Sequence, residues 1–168
     1  MAHCTDVACT MSTLTQYVTP ISDGYQPSIT TGADALGLIV YMGMYSQAQV
    51  VTVHCVNTLC NAVAGPQLIH SLQVFNPQPM VTIGAAGLGV ITFYDMFGST
   101  VPVLVVAHCH DLLCSSTTET NWMSGMSPPA ITISPTGNPL LTSPGQGSGL
   151  LQVFLCRDPF CAEFFRRR

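Results

Sequence analysis

The apolar residues of this chain come in short runs, and none of them keeps a helical period. Ile29–Thr31, Leu38–Met42, Val50–His54, Val81–Ile83, Val90–Tyr94 and Val103–His108 are alternating or continuous stretches rich in β-branched residues. Gly, Pro, Asn and Asp punctuate them, and no window of 11 or more residues holds a 3.6-residue period unbroken by Gly or Pro. The pattern predicts strands throughout. In the first third they fall near Thr13–Thr19, Ile29–Thr31, Leu38–Met42 and Val50–His54. In the second they fall near Leu68–Phe75, Val81–Ile83, Val90–Tyr94 and Val103–His108, with Gly84-Ala85-Ala86-Gly87 as a hairpin turn. In the last third the opening strand is least clear, and later strands fall near Ile131–Ile133, Leu140–Thr142 and Leu150–Leu155.

The run of strands repeats. Four segments align: His3-Cys4-Thr5-Asp6-Val7-Ala8-Cys9, His54-Cys55-Val56-Asn57-Thr58-Leu59-Cys60, His108-Cys109-His110-Asp111-Leu112-Leu113-Cys114 and Leu155-Cys156-Arg157-Asp158-Pro159-Phe160-Cys161. Their first cysteines are 51, 54 and 47 residues apart, and together they hold all eight cysteines. A second register agrees: the segments starting at Pro27, Pro79 and Pro129 align over 14 residues and begin 52 and 50 residues apart. Self-similarity at a fixed period of this length marks a repeat architecture, and about four strands per ~50 residues is the rhythm of a propeller blade. The expected fold is all-β: three four-stranded propeller-blade-like repeats at 11–61, 62–115 and 116–162, an orphan boundary strand at 1–10 and a tail at 163–168.

Each C-x4-C unit has Asp or Asn two residues after its first cysteine: Asp6, Asn57, Asp111, Asp158. In the structural reading the first cysteine ends a strand, the Asx residue makes a turn, and a disulfide closes the loop: Cys4–Cys9, Cys55–Cys60, Cys109–Cys114, Cys156–Cys161. Loop-closure entropy assigns so short a loop about 2 kcal/mol. The rival is a metal site, because His precedes the first cysteine in three units. Neighbouring strand residues point to opposite faces, so His and Cys cannot easily share an ion, and usual zinc spacings are tighter. Leu155 takes the histidine's place in the fourth unit. Redox catalysis favours C-x-x-C. No metal or other cofactor is expected, and His3, His54 and His108 are read as half-buried packing residues.

Composition moves the picture from isolated domain toward assembly. Charged residues are only 7% of the chain, against roughly 25% in an ordinary domain, while 48% are apolar. Lysine is absent and the four arginines are Arg157, Arg166, Arg167 and Arg168. Copies with so little charge repel one another weakly, so self-association is expected. A net charge of −4 and a single small basic cluster argue against a nucleic-acid partner. No stretch reaches the ~18–20 apolar residues a spanning helix needs, and Met1-Ala2-His3-Cys4 does not resemble a signal peptide. Beginning in mid-repeat fits a fragment or a processed product.

Little else suggests chemistry. Asp23, Asp34, Asp95, Glu119 and Glu163 occupy non-equivalent repeat positions, so no acid/base pair recurs and no catalytic residue is assigned; Asp34 and Asp95 are the two that could face a ligand. Gly84–Gly89 lacks the helix and lysine of a phosphate loop. Trp122, Met123 and Met126 form an aromatic/thioether patch read as core filling, with sugar stacking as the alternative. No N-glycosylation sequon occurs, and the many Ser and Thr residues leave O-glycosylation open.

The hairpin Gly84–Thr92 paired with the terminator Val106-Ala107-His108-Cys109-His110-Asp111-Leu112-Leu113-Cys114 resembles tandem repeats of large secreted bacterial proteins. The register covers nearly the whole chain and is weakest where Ser134-Pro135 and Asn138-Pro139 stand. The resemblance implies β-propeller blades and an extracellular, non-enzymatic role such as adhesion or surface structure. Three copies are fewer than the four to eight blades that normally close a ring, and open edges that do not close generate filaments. The expectation is a secreted or cell-surface subunit of a head-to-tail fibre or surface layer, self-associating through residues 1–10 and the C-terminal repeat. The alternative is a lectin-like or adhesive propeller that binds glycans.

Overall fold

The computed structural model describes residues 2–14, 22–44, 46–73, 76–96, 103–122, 130–144 and 151–167. Every regular element among them is a β-strand. An N-terminal ribbon pairs β1 (Ala2–Cys4) with β2 (Ser12–Leu14). The first sheet holds β3 (Ser22–Thr31), β4 (Gly37–Met44), β5 (Ala48–Cys55) and β6 (Val63–Ser71). The second holds β7 (Met80–Ile83), β8 (Gly89–Asp95), β9 (Val103–Cys109) and β10 (Thr117–Trp122). The third holds β11 (Ala130–Ile133), β12 (Pro139–Pro144), β13 (Leu151–Cys156) and β14 (Phe164–Arg167). Each sheet is an antiparallel meander in chain order. The first strands neighbour one another, β7 between β3 and β11, as the inner strands of propeller blades do.

Sequence repeats and sheets are out of phase by one strand. The first C-x4-C unit joins β1 to β2, and the other three each lie in the hairpin between the third and fourth strands of a sheet: Cys55 faces Val63 across that hairpin, Cys109 faces Thr117 and Cys156 faces Phe164. The fourth strand of the first sheet and of the second is therefore the opening strand of the next sequence repeat. The repeats interlock through backbone ladders, while the breaks between sheets fall between Ser71 and Met80 and between Trp122 and Ala130. The strand expected at Leu68–Phe75 begins earlier, at Val63, because pairing resumes three residues after the second cysteine. The third repeat's unclear opening strand is β10. Residues 15–19 of the strand expected at Thr13–Thr19, together with Met123, Met126 and Gly145–Gly149, lie outside the described residues.

The middle strands are continuous apolar runs because both their faces are covered, the pattern expected of buried strands. Leu38, Val40, Met42, Ala48 and Val50 of the first sheet pack on Val81, Ile91, Phe93, Val105 and Ala107 of the second. The opposite face of the second sheet, Val90, Tyr94, Leu104 and Val106, packs on Leu141 and Phe154 of the third. Fully burying one such large apolar side chain stabilises the fold by about 1.5–3 kcal/mol. Trp122 closes the second seam, edge-on to Phe154 at 5.8 Å between ring centroids.

The hairpins joining first and second strands form a column of their own. In each, the first residue's N–H bonds the fifth residue's carbonyl: Gly32 to Leu36, Gly84 to Leu88, Ser134 to Asn138. The fourth residue is left-handed in all three: Ala35 (φ 64), Gly87 (φ 77) and Gly137 (φ 86). Gly87 lies so close to Ala33 that a Cβ there would be 2.8 Å from the Ala33 Cβ, and Gly137 sits at the same distance on Ala85. Glycine is thus required twice over at the two stacked turns.

Candidate functional site

The best-defined local structures are the four C-x4-C hairpins, which prove nearly identical. All eight cysteines are paired as the spacing predicts, Cys4–Cys9, Cys55–Cys60, Cys109–Cys114 and Cys156–Cys161, with Cα separations of 4.7–4.8 Å. The second cysteine is left-handed each time, with φ of 54, 49, 57 and 56°, and its N–H donates to the carbonyl of Asp6, Asn57, Asp111 or Asp158. The Asx side chain then turns back on the residues after the loop. Asp6 accepts from the Thr10 N–H and hydroxyl and from the Met11 N–H; Asp111 accepts from the Ser115 N–H and hydroxyl. These bonds hold both carboxyls below the usual carboxylate range. Asn57 accepts from the Asn61 N–H, and Asp158 from the N–H groups of Phe160, Ala162 and Glu163. The same loop, with an Asx at its third place bonded to the residues just after it, forms in all four settings.

Their surroundings differ. Cys109 and Cys114 are buried in the core shared with the first sheet, and Cys156 and Cys161 in the core shared with the second. The Cys156–Cys161 staple of the third sheet is gripped by the second sheet: Trp122 Nε1 donates to the Cys161 carbonyl at 2.9 Å and Thr120 Oγ1 to the Phe160 carbonyl at 3.1 Å. The Phe160 ring lies on His108 at 4.6 Å. Each of these sheets therefore takes the next sheet's staple on its outer face. Cys4 and Cys9, by contrast, are exposed.

The histidines before the cysteines are more enclosed than expected. His54 and His108 are buried, and burial lowers the pKa of His108; the side chain of His3 lies outside the description. His54 Nε2 is 3.2 Å from Asp34 Oδ2, close enough for an ion pair but not aligned as a hydrogen bond. Asp34 also accepts from the Leu36 N–H within its own turn. Glu163 pairs with Arg157 at 3.2 Å. Among the described residues, no group of three His, Cys, Asp or Glu side chains is arranged to hold a metal.

One cluster was not read from the sequence. His70 on β6 bridges from the first sheet to the second, its Nε2 3.0 Å from Asp95 Oδ2 and its Nδ1 3.2 Å from both Glu119 oxygens. Asp95 is buried, accepts the Gln73 N–H at 2.7 Å, and so faces inward to a histidine rather than out to a ligand. The Phe93 ring lies 5.2 Å from the imidazole. Glu119, with Asp95 alongside, raises the pKa of His70 against the opposing effect of burial. Both imidazole nitrogens are engaged by carboxylates, so the cluster is a charged clasp across the first seam and not an open catalytic pair. The three residues are 25 and 24 positions apart and recur in no other repeat. Only sheet packing brings them together.

The second seam is held by neutral groups. Tyr94 reaches Ser143 from the second sheet to the third, and burial pushes its phenol up to about 12. Trp122, expected as core filling, is buried there.

The fold and the staples define the class: an all-β repeat protein of packed four-stranded antiparallel sheets with a disulfide in each third-to-fourth-strand hairpin. No family model matches the chain, and no curated protein matches it. Four disulfides place it in an oxidising environment. No helix of the described residues is long and apolar enough to cross a membrane.

Proposed function

We propose that this protein is a non-enzymatic structural subunit of an extracellular fibre or surface layer, assembling head to tail. The observation that carries this reading is the N-terminal ribbon. Among the described residues β1 and β2 pair with each other, in the arrangement of the third and fourth strands of the other sheets, staple included. A stapled ribbon with exposed Val7, Met11 and Leu14 is an apolar surface that a second copy can cover. The low charge of the chain and its disulfides suit a secreted assembly, as does its resemblance to secreted bacterial repeat proteins. Buried groups serve packing and inter-sheet contacts, which favours a scaffold over an enzyme.

Deleting residues 1–10 tests the reading. Wild-type protein should form ordered polymers in negative-stain microscopy without added ligand, and the deletion variant should remain monomeric with an unchanged β-type circular dichroism spectrum. A deletion variant that polymerises like the wild type would falsify the proposal.

A further inference from the structure

The three four-stranded sheets share one end. Strand pairing lines up Thr31, Gly37, Cys55 and Val63 across the first sheet, and Ile83, Gly89, Cys109 and Thr117 across the second. Ile133, Pro139, Cys156 and Phe164 form the same line in the third. Beyond that line each sheet carries two hairpins, the one joining its first and second strands and the stapled loop. Ala33 against Gly87 and Ala85 against Gly137 bring the three ends to one side. Sheets pack through their faces, so these tips lie outside the seams.

The tips expose apolar side chains and turn their polar groups inward. Val56 and Leu59 are 52% and 54% exposed, Leu112 and Leu113 40% each, and Phe160 43%. Beside them Ala33, Ala35, Ala85 and Ala86 are exposed. The charged residues of these six hairpins are Asp34, Asp111, Arg157, Asp158 and Glu163, and each is engaged. Asp111 and Asp158 accept N–H groups behind their loops. Asp34 accepts the Leu36 N–H beside His54, and Arg157 pairs with Glu163 at the base of its loop. The loop backbones are closed as well. Val56, His110 and Arg157 donate their N–H groups across the loop to Ala62, Ser116 and Glu163, and each second cysteine donates to its Asx carbonyl.

We infer that this end is a docking surface for a zwitterionic lipid bilayer, into whose interface the three stapled loops set their apolar side chains. Exposed apolar patches of this kind mark contact surfaces, and the chemistry of the tips selects the partner. A hydrocarbon boundary offers neither hydrogen bonds nor counter-charges, and the tips leave few of their own groups requiring either. A protein partner would have to match the relief of three separate loops, whereas fluid lipid shapes itself around them. The disulfides already fix the loop conformations, so little ordering entropy is lost on insertion. Because the charges at this end are engaged within the chain, attraction to anionic headgroups contributes little. Peripheral contact of this sort needs no spanning segment, and it does not depend on whether copies also assemble head to tail.

Flotation of the full-length protein with phosphatidylcholine vesicles tests the inference. Wild type should rise with the vesicles equally at low and high salt, since screening acts on charges and not on apolar burial. Leu112→Ser/Leu113→Ser and Val56→Ser/Leu59→Ser alter exposed positions and should keep the wild-type melting temperature. Each should lower the partition coefficient about 10-fold. Leu151→Ser removes an exposed leucine from the opposite end of the third sheet and should float as wild type does. Tip variants that float like wild type overturn the inference, and so does binding that requires phosphatidylserine. Wild type that ignores vesicles overturns it too; if that protein instead forms dimers in sedimentation velocity that the tip variants lose, this end is a protein interface.

Discussion

The Cys4–Cys9 and Cys109–Cys114 staples share a loop length, a left-handed second cysteine, an Asx carboxylate bonded to the residues that follow, and a backbone bond from the second cysteine to that Asx. One is exposed, the other fully buried between two sheets. The conformation of the hairpin is thus a local matter, set by the six-residue loop and its hydrogen bonds to the residues just after it. What the hairpin contributes to the stability of the whole depends on the sheet it packs against.

Breaking each staple should separate the two contributions. Cys109→Ala/Cys114→Ala loses loop closure worth about 2 kcal/mol together with buried packing worth about 1–2 kcal/mol. The expected total is about 3–4 kcal/mol, read as a large fall in the calorimetric melting temperature. Cys4→Ala/Cys9→Ala should leave that temperature within about 1–2 °C of wild type, since the ribbon can open without exposing core. Equal falls in the two variants would show that the ribbon is an integral part of the cooperative unit.

The hairpin column repeats the contrast between interior and end. Gly137→Ala adds a Cβ to a left-handed residue and drives it against Ala85, with an expected cost of about 2 kcal/mol. Ala35→Gly, at the first described turn of the column, should change stability by less than about 1 kcal/mol and in the favourable direction, because Ala35 already bears the left-handed strain. Chemical denaturation of the two variants side by side distinguishes them. A Gly137→Ala variant as stable as wild type would mean the column is not tightly packed.

The smallest effect concerns the two seams. His70 clasps the first seam as a cation between Asp95 and Glu119, and its pKa is raised in the folded state. Its contribution is fully present below the unfolded value near 6.5 and is lost as pH rises through the higher folded value. His108 works the other way. Its folded pKa is lowered by burial, so its contribution is lost as pH falls from about 6.5 through the lower folded value. Melting temperatures measured from pH 6 to 9 should decline gently in wild type, and His70→Gln should flatten that decline. The neutral contacts of Trp122 and Thr120 at the second seam should add no slope of their own over this range. An unaltered decline in His70→Gln would remove the clasp from the account.

Much of the fold is legible in the residues, because β periodicity, turn chemistry and the C-x4-C spacing are local signals. The strands at Val81–Ile83, Val90–Tyr94 and Val103–His108 fall inside β7, β8 and β9, and every disulfide pairs as its spacing predicts. Two things are not local. The one-strand offset between repeat and sheet depends on which strands share hydrogen bonds, and a repeat unit reads the same whether its first strand pairs backward or forward. The clasp of His70, Asp95 and Glu119 depends on how one sheet lies on the next, and no spacing along the chain encodes that contact.

By itself the sequence determined the strands, the turns and the staples, since each is satisfied by hydrogen bonds and bridges within a few residues. Tertiary structure decided which staples are buried and which glycines cannot be replaced. Those outcomes follow from the order in which sheets pack, and packing order is a property of surfaces meeting in space rather than of neighbours in the chain.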